Sequence, residues 1–266
     1  MIPTVSHTLR IASIQSPVNK MRYPAIVASL VVAFVASTAQ GAVVQASAGM
    51  SVDGTNWEVP VGFNPELGLY GIGTWDPETE NFTGFNAITP EGDEVGISGV
   101  LDPDPSIGYG ITVTDFGAPS VFGFFFTTPI IVGASPTVVS SSISGGLTDF
   151  TGNGVTITPT AAFLQIADVS LPVTNMGVDI GPAVSGGPGA PGALYGYGPF
   201  ALGPIPGPAG PWGTLSVTVG FSLTGGADIA SLTGFASIVE VPEPSSVCML
   251  AMGALGLLYF ARRRRG

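Results

Sequence analysis

Carboxylates are the main side chains in the central part of this chain that could carry acid–base chemistry or bind a cation. Eight of the eighteen lie in three short stretches of the N-terminal half, WDPETE, PEGDE and LDPDP, which contain Asp76, Glu78, Glu80, Glu91, Asp93, Glu94, Asp102 and Asp104. A carboxylate pair can hydrolyse a glycosidic bond, and several carboxylates can bind calcium. The spacing selects no pair, and LDPDP lacks the later Asp/Asn, Gly and Glu of a calcium loop. We therefore expect solvated loop acids, and we predict no cofactor and no metal.

Histidine, cysteine, lysine and arginine are confined to the two ends of the sequence. His7 is the only histidine, Cys248 is the only cysteine, and no lysine or arginine lies between Arg22 and Arg262. The central part therefore excludes Ser-His-Asp and Cys-His arrangements, lysine Schiff bases and His/Cys zinc sites. We predict that the protein is not an enzyme, and a carboxylate-pair glycosidase is the distant alternative.

Charge is distributed unevenly along the chain. All eighteen acidic residues lie between Asp53 and Glu243, whereas the seven basic residues lie outside that range. Proteins that bind nucleic acid need cationic side chains along the phosphates, so this distribution excludes nucleic acid as a partner. It equally disfavours stable contact between the central part and an anionic membrane surface.

An apolar run near the start follows Lys20 and Arg22. It reads AIVASLVVAFVA and is followed by the small residues STAQGA. A basic segment, a short apolar core and small residues form the pattern of a secretory signal peptide. The sequence predicts a signal peptide with a preceding extension over residues 1–41, and a retained membrane helix is the alternative.

A second apolar run, residues 247–261, precedes Arg262, Arg263, Arg264 and Arg265. As a helix its fifteen residues would span about 22 Å, a little less than the hydrocarbon core of a bilayer. Basic residues flank membrane spans on the cytoplasmic side. We predict a short transmembrane helix with the arginines inside and the central part of the chain outside.

The C-terminal 26 residues show a specific arrangement: Val241-Pro242-Glu243-Pro244, then the apolar run, then the arginines. This order resembles the PEP-CTERM sorting signal of Gram-negative bacteria. The resemblance implies recognition of the VPEP segment by an exosortase, transient anchoring in the inner membrane with Arg262–Arg265 as the cytoplasmic stop, and delivery to the cell surface or extracellular matrix. In this family the matrix is associated with exopolysaccharide and biofilm. An ordinary membrane anchor with a chance VPEP is the alternative.

The central part, residues 42–240, has the pattern of an all-β domain. In the run from Thr214 to Thr224, Leu215 and every second residue after it are apolar, while the intervening residues are mostly Ser and Thr. Such alternation predicts a strand with one buried face. Gly225-Gly226 then predicts a hairpin turn into the next strand. Further strands are predicted over residues 95–101, 107–114, 122–126, 138–143, 155–158 and 161–169. We predict a single antiparallel β-sandwich or jelly-roll-like domain.

One segment of this domain is dominated by turn formers. Nineteen of the 33 residues from Gly181 to Gly213 are glycine or proline. Their spacing does not keep the unbroken three-residue period of collagen, so we predict a long surface loop pinned by a few aromatic residues.

Aromatic residues raise carbohydrate binding as the main functional alternative. Trp57, Tyr70 and Trp75 lie close in sequence to Asp53, Glu58 and Asp76, and sugar sites combine flat rings with polar groups. Core aromatics produce the same pattern. We predict an exported, non-enzymatic surface or matrix protein that keeps its acidic, Ser/Thr-rich faces in water. A carbohydrate-binding module of the matrix is the alternative, with extracellular polysaccharide as its partner.

Overall fold

The computed structural model describes residues 45–130, 136–170 and 173–241 of the chain. The predicted signal peptide, the predicted transmembrane helix with its arginines, and Pro242, Glu243 and Pro244 lie outside the described residues. Within the three described ranges every regular element is a β-strand. A search of the same ranges for a helix long and apolar enough to cross a membrane finds none.

Eighteen strands, many of them short, follow one another along the described chain. They are β1 (Ser47–Val52), β2 (Thr55–Val59), β3 (Val61–Asn64), β4 (Leu69–Ile72), β5 (Trp75–Asp76), β6 (Asn81–Phe82), β7 (Phe85–Ile88), β8 (Glu94–Asp102), β9 (Ser106–Asp115), β10 (Val121–Pro129), β11 (Thr137–Asp149), β12 (Val155–Pro159), β13 (Gln165–Val169), β14 (Thr174–Asn175), β15 (Val184–Gly186), β16 (Ala193–Pro206), β17 (Thr214–Leu223) and β18 (Asp228–Glu240).

The strands form two large sheets and one small one. The first sheet has the order β14-β13-β17-β10-β1-β2, with β12 beside β17 and β15 beside β12. The second sheet has the order β16-β11-β18-β9-β8-β4-β3, with β7 also beside β8, and β5 pairs with β6. Every ladder between these strands is antiparallel. The predicted all-β, antiparallel class is confirmed for the described residues.

The pairing of the last ten strands is nested. β9 pairs with β18, β10 with β17, β11 with β16, β12 with β15 and β13 with β14. The outer four levels of this nested hairpin belong alternately to the second and the first sheet, and the innermost pair, β13–β14, stays in the first sheet. A long hairpin rolled around one core in this way has the connectivity of a jelly roll.

The core lies between the two large sheets. Strand alternation places the predicted apolar faces inward, and the buried residues include Leu215, Val217, Val219, Phe221, Leu223, Ile107, Tyr109, Ile111, Val113, Phe122, Phe124 and Phe126. Tyr109 of the second sheet stacks on Phe126 of the first, with ring centroids 5.0 Å apart. Gln165 of the first sheet accepts a hydrogen bond from the Tyr109 hydroxyl and donates one to Ser141 Oγ over 2.7 Å. A buried polar network therefore joins the sheets across an apolar core.

The predicted hairpin at Gly225-Gly226 is wrong. β17 lies in the first sheet between β10 and β13, and β18 lies in the second sheet between β9 and β11. Both glycines have positive φ, as a sharp turn requires, but the turn carries the chain from one sheet to the other. An alternating strand pattern specifies a buried face and does not specify which neighbours pair with the strand.

The predicted loop over residues 181–213 is also corrected. This segment contains β15 and the fourteen-residue strand β16. β16 lies at the edge of the second sheet and pairs only with β11, with register shifts along the ladder. An edge strand tolerates proline because the missing N–H can face the unpaired side. Tyr197 and Trp212 of this segment are buried in the core.

The two ends of the sandwich carry different turns, and the limits of the described chain lie towards only one of them. One end, here called the acidic end, carries the turns at residues 53–54, 89–93, 115–121, 149–154 and 224–228. The other end, here called the exit end, carries residues 102–106, 129–130, 136–137, 206–214 and 240–241, together with the start of β1. Both limits of the described chain, Gln45 and Val241, therefore lie towards the exit end.

Candidate functional site

The carboxylates singled out in the sequence do not form one site. The Asp76 carboxylate accepts hydrogen bonds from Glu78 N–H and Thr79 Oγ1, both over 2.9 Å, and Asp102 accepts one from Asp104 N–H over 2.9 Å. These bonds close local turns, and those of Asp76 lower its pKa. Glu94 and Asp102 stand at opposite ends of β8, about 27 Å apart at the rise of a strand. A hydrolytic carboxylate pair needs a separation of about 5 to 9.5 Å.

Among the described residues no group of three or more His, Cys, Asp or Glu side chains could hold a metal ion. Glu78, Glu80, Glu91 and Asp104 are exposed on turns. The exposed carboxylates of these turns therefore form no metal-binding group among the described residues.

The three aromatic residues proposed for sugar binding are dispersed. Tyr70 packs on Phe63 at 4.8 Å between ring centroids, whereas Trp75 packs on Phe82 at 5.1 Å. The Phe82 ring lies over Gly71, the residue after Tyr70, so the two aromatic pairs occupy opposite faces of β4. Trp57 is on β2, at the edge of the first sheet, and packs against the core. They do not form one stacking platform.

Buried aspartates at the acidic end form a cluster that the sequence analysis largely missed. Asp93, Asp115, Asp149 and Asp228 are each at most 1% exposed. Asp115 and Asp228 are directly opposite each other in the β9–β18 ladder. Of the four, only Asp93 was among the sequence candidates. The available signal was an aspartate at a strand end followed within five residues by Gly, Ser or Thr, which is typical of a side chain that caps a turn.

These aspartates hold the loops of the acidic end. Asp149 accepts hydrogen bonds from Gly152 and Gly154 N–H, both over 2.7 Å. Asp93 accepts from Phe116 N–H over 3.0 Å and from Ser120 Oγ over 3.1 Å. Each carboxylate thereby satisfies backbone or hydroxyl donors that no neighbouring strand pairs.

Asp115 is the electrostatic exception in this cluster. One of its oxygens accepts from Ser120 N–H over 2.9 Å, but Asp115 Oδ1 is buried without a hydrogen-bond partner. Burial, with smaller contributions from the nearby Asp93 and Asp53 carboxyls, raises the pKa of Asp115 to about 6. The pKa of Asp228 is also raised, mainly by burial. No lysine or arginine lies between residues 23 and 261 to offset this repulsion.

A shallow depression lies on the outer face of the second sheet, across β7, β8, β9 and β18. Its volume is about 550 Å³, and its floor is made of small residues that include Gly96, Ser98, Gly110, Thr112 and Thr233. A neighbouring depression of about 490 Å³ shares part of this floor and extends towards Glu94. Among the described residues no hydrogen bond occupies the side-chain hydroxyls of Ser98, Thr112 or Thr233. These hydroxyls can therefore bond to a ligand or to water.

The end of β18 is where the VPEP segment begins. Glu240, the last residue of β18, lies opposite Thr137 of β11, and Val241 N–H donates to the Pro136 carbonyl over 2.8 Å. On the other side the β9 ladder stops at Ser237, followed only by a bond from Ile238 N–H to the Pro105 carbonyl over 3.1 Å. Val241 is thus the one VPEP residue that the structure describes, and it is still attached to the sheet.

The chain was compared with family models, with curated proteins and with solved structures, and the first of these comparisons concerns the tail. Residues 240–265 match the family model of the PEP-CTERM protein-sorting motif, which confirms the resemblance noted from the sequence. No curated protein matches the chain. Among solved structures, the infectious bursal disease virus VP2 subviral particle aligns over 85% of this chain and 70% of that one, with 14% identity and a TM-score of 0.18. That likeness is too weak to indicate a shared fold.

Proposed function

We propose that this chain, which carries a PEP-CTERM protein-sorting motif at residues 240–265, is an exported, non-enzymatic protein of the cell surface or extracellular matrix. The motif supports export and membrane-associated sorting by an exosortase. The observation that carries the proposal is the position of the match, which starts at the last residue of β18 and runs to the arginine cluster. The β domain is the cargo, and the tail directs its processing.

Each part of the tail has a distinct role in this proposal. Val241, Pro242, Glu243 and Pro244 form the segment that the exosortase recognises. Proline at two of these positions removes backbone N–H donors and disfavours helix, so the segment is available as an extended chain. Arg262 to Arg265 stay on the cytoplasmic side and stop transfer until processing.

The non-enzymatic role is supported by the chemistry of the domain. The buried aspartates of the acidic end accept hydrogen bonds from loop donors, and Asp76 and Asp102 close two separate local turns. A strongly acidic surface without lysine or arginine favours hydration and solubility outside the cell. Association with exopolysaccharide or biofilm material is part of this proposal and derives from the family resemblance.

Mass spectrometry of the C-terminal peptide from the native host tests the sorting role. We expect the wild-type protein to lose its apolar run and arginines, and a Pro242→Ala/Pro244→Ala variant to keep them. A Pro65→Ala/Pro77→Ala variant, changed at two exposed prolines of the β domain, is the control and should be processed normally. An intact tail in the wild type would identify an ordinary membrane anchor instead.

Carbohydrate binding is the second candidate, and the depression on the second sheet is the observation that favours it. Its floor offers unoccupied hydroxyls, and the side chain of Asn86 lies at one edge. Sugars present matching hydroxyl groups. No cationic side chain is available in the domain to bind an anionic polymer, so the ligand class is a neutral polysaccharide.

A glycan array separates the two candidates. Binding of neutral glycans that is lost in a Thr112→Val/Thr233→Val variant would establish the carbohydrate role. A Thr158→Val/Ser222→Ala variant removes two facing hydroxyls from the first sheet and should bind normally. A Trp57→Ala variant tests the aromatic sugar site that the sequence raised as an alternative. Absence of binding would leave the structural role, and release of reducing sugar from any glycan would overturn the non-enzymatic proposal.

A further inference from the structure

The folded sheet and the sorting segment share their boundary residues. The sorting motif match begins at Glu240, and Glu240 is also the last residue of the central strand β18. Val241 N–H is bonded to the Pro136 carbonyl. No spacer therefore separates the β domain from the segment that the sorting enzyme must bind.

Enzymes that act on a polypeptide commonly bind it as an extended chain through its backbone groups and alternate side chains. Residues before Pro242 meet this requirement only partly, because β11 occupies one edge of the chain as far as Val241. An enzyme cleft that takes Pro242 would also meet the neighbouring chain at Pro136 and Thr137. The folded domain and the enzyme thus compete for the same few residues.

The end of β18 is constructed so that opening costs little. From Val239 onward the strand pairs with β11 alone, because the β9 ladder has ended. The Val239 side chain is 53% exposed, and Glu240 is exposed as well. Pro136 accepts one hydrogen bond from Val241 but has no N–H to donate in return. Few buried contacts and one-sided pairing are the features of segments that open locally without global unfolding.

We propose that residues 239–241 separate from β11 when the sorting enzyme takes the tail, so that the stability of this strand end sets the rate of processing. The inference rests on the proposed sorting function. It assigns the end of β18 two alternating partners, the β11 strand and the enzyme. When opening is fast, the processing rate is proportional to the population of the open form.

A disulfide across the strand end provides the test. Thr137 and Glu240 are directly opposite each other, and facing Cα atoms in an antiparallel ladder are about 4.5 to 5.5 Å apart, within the range of a disulfide. The full chain with Thr137→Cys/Glu240→Cys, in a Cys248→Ser background, is expressed in the native host and followed by pulse–chase. We expect processing to slow at least about tenfold and to recover when a reductant is added, because reduction restores opening.

A second disulfide in the same two strands is the matched control. Ser140 and Ser237 are also opposite each other, and their hydroxyl oxygens are 3.0 Å apart. Ser140→Cys/Ser237→Cys fixes β18 to β11 three residues further from the tail and leaves residues 239–241 free to separate. We expect nearly normal processing. Inserting Gly-Ser-Gly-Ser between residue 240 and Val241 of the Thr137→Cys/Glu240→Cys variant should restore processing, since the enzyme can then bind an intact Val241–Pro244 segment beyond the disulfide.

The outcomes are distinguishable. Normal processing of the oxidised Thr137→Cys/Glu240→Cys variant, with the disulfide verified by mass, overturns the inference and means that the tail is processed without opening or before folding. Equal slowing by both disulfides also overturns it, because opening would then extend deeper into the sheet. An unprocessed tail in the wild-type chain removes the proposed sorting function itself.

Discussion

The chain segments at the two ends of the sandwich are held by different kinds of hydrogen bond. At the acidic end, buried aspartates accept hydrogen bonds from loop backbone and from serine and threonine hydroxyls. At the exit end, the strand that leads to the tail is held by one-sided backbone pairing, and the Thr137 hydroxyl is buried without a partner. The comparison indicates that the end remote from the tail is closed by side chains, whereas the end that continues into the tail can open.

The largest expected effect is at Asp149. Replacing it with alanine removes two charge-assisted hydrogen bonds and leaves the amides of Gly152 and Gly154 unpaired. We expect the Asp149→Ala variant to lose about 4 kcal/mol of unfolding free energy. Urea unfolding of the purified protein, followed by tryptophan fluorescence, measures the loss. Asp76→Ala removes a similar turn bond at an exposed site and should change stability little. Equal losses of unfolding free energy in the two variants would show that a buried aspartate holds its turn no more strongly than an exposed one.

The second expected effect is on the pH dependence of stability. Because burial raises the pKa of Asp115 from an ordinary value of 3.8 to about 6, the folded state binds this proton more tightly than the unfolded state. The resulting stability is fully present below pH 4 and is lost as the pH rises through 6. The full loss corresponds to about 3 kcal/mol.

Asp115→Asn isolates this contribution. The variant should be more stable than the wild type at pH 7, and the difference should disappear below about pH 4. Unfolding midpoints measured at several pH values give the two curves. The raised pKa values of Asp228 and Asp168 act in the same direction in both proteins and cancel in the difference. A difference that does not vary with pH would show that Asp115 is not the titrating group.

An intermediate effect is expected midway between the ends, where Gln165 joins the two sheets. Gln165→Leu leaves Ser141 Oγ and the Tyr109 hydroxyl without their amide partner. We expect a loss of about 2 kcal/mol. Adding Tyr109→Phe should cost less than the sum of the two single variants, because both act on one network. Additive losses in the double-mutant cycle would show that the groups are independent.

The smallest expected effect is at the exit end, and its sign is reversed. Thr137→Val replaces a buried hydroxyl that has no partner with a methyl group of similar shape. We expect a gain of up to about 1 kcal/mol, because no hydrogen bond is lost. The same urea titration measures it. A destabilised variant would show that Thr137 does have a polar partner and that the exit end is held more tightly than we infer.

Sequence reasoning succeeded where local chemistry decides the outcome. The alternation around Leu215 and Phe221 identified a buried strand face, since period two is a property of the strand itself. The Gly225-Gly226 turn was recognised as a turn, but its role as a crossover between sheets was not. The Gly/Pro-rich segment has the composition of a loop although it contains β16, because an edge position that tolerates proline is created only by the assembled sheet.

For the candidate site as well, the sequence predicts the features that depend on local chemistry and misses those that depend on the assembled sheets. The order of VPEP, apolar run and arginines identified the sorting motif, because a short peptide signal is read as sequence. By contrast, nothing in the sequence indicates that Asp115 and Asp228 are neighbours, because they lie more than a hundred residues apart. Only the β9–β18 ladder places them side by side.

By itself, the sequence determined the segregation of charge, the exclusion of histidine, cysteine and lysine chemistry from the domain, the strand periodicity and the sorting motif. Each of these depends on residue type or on neighbours within a few positions. The tertiary structure alone decided the nested strand order, the burial of the aspartates and the attachment of Val241 to β11. Those features depend on contacts between residues distant in the chain, and such contacts form only when the two sheets close around a common core.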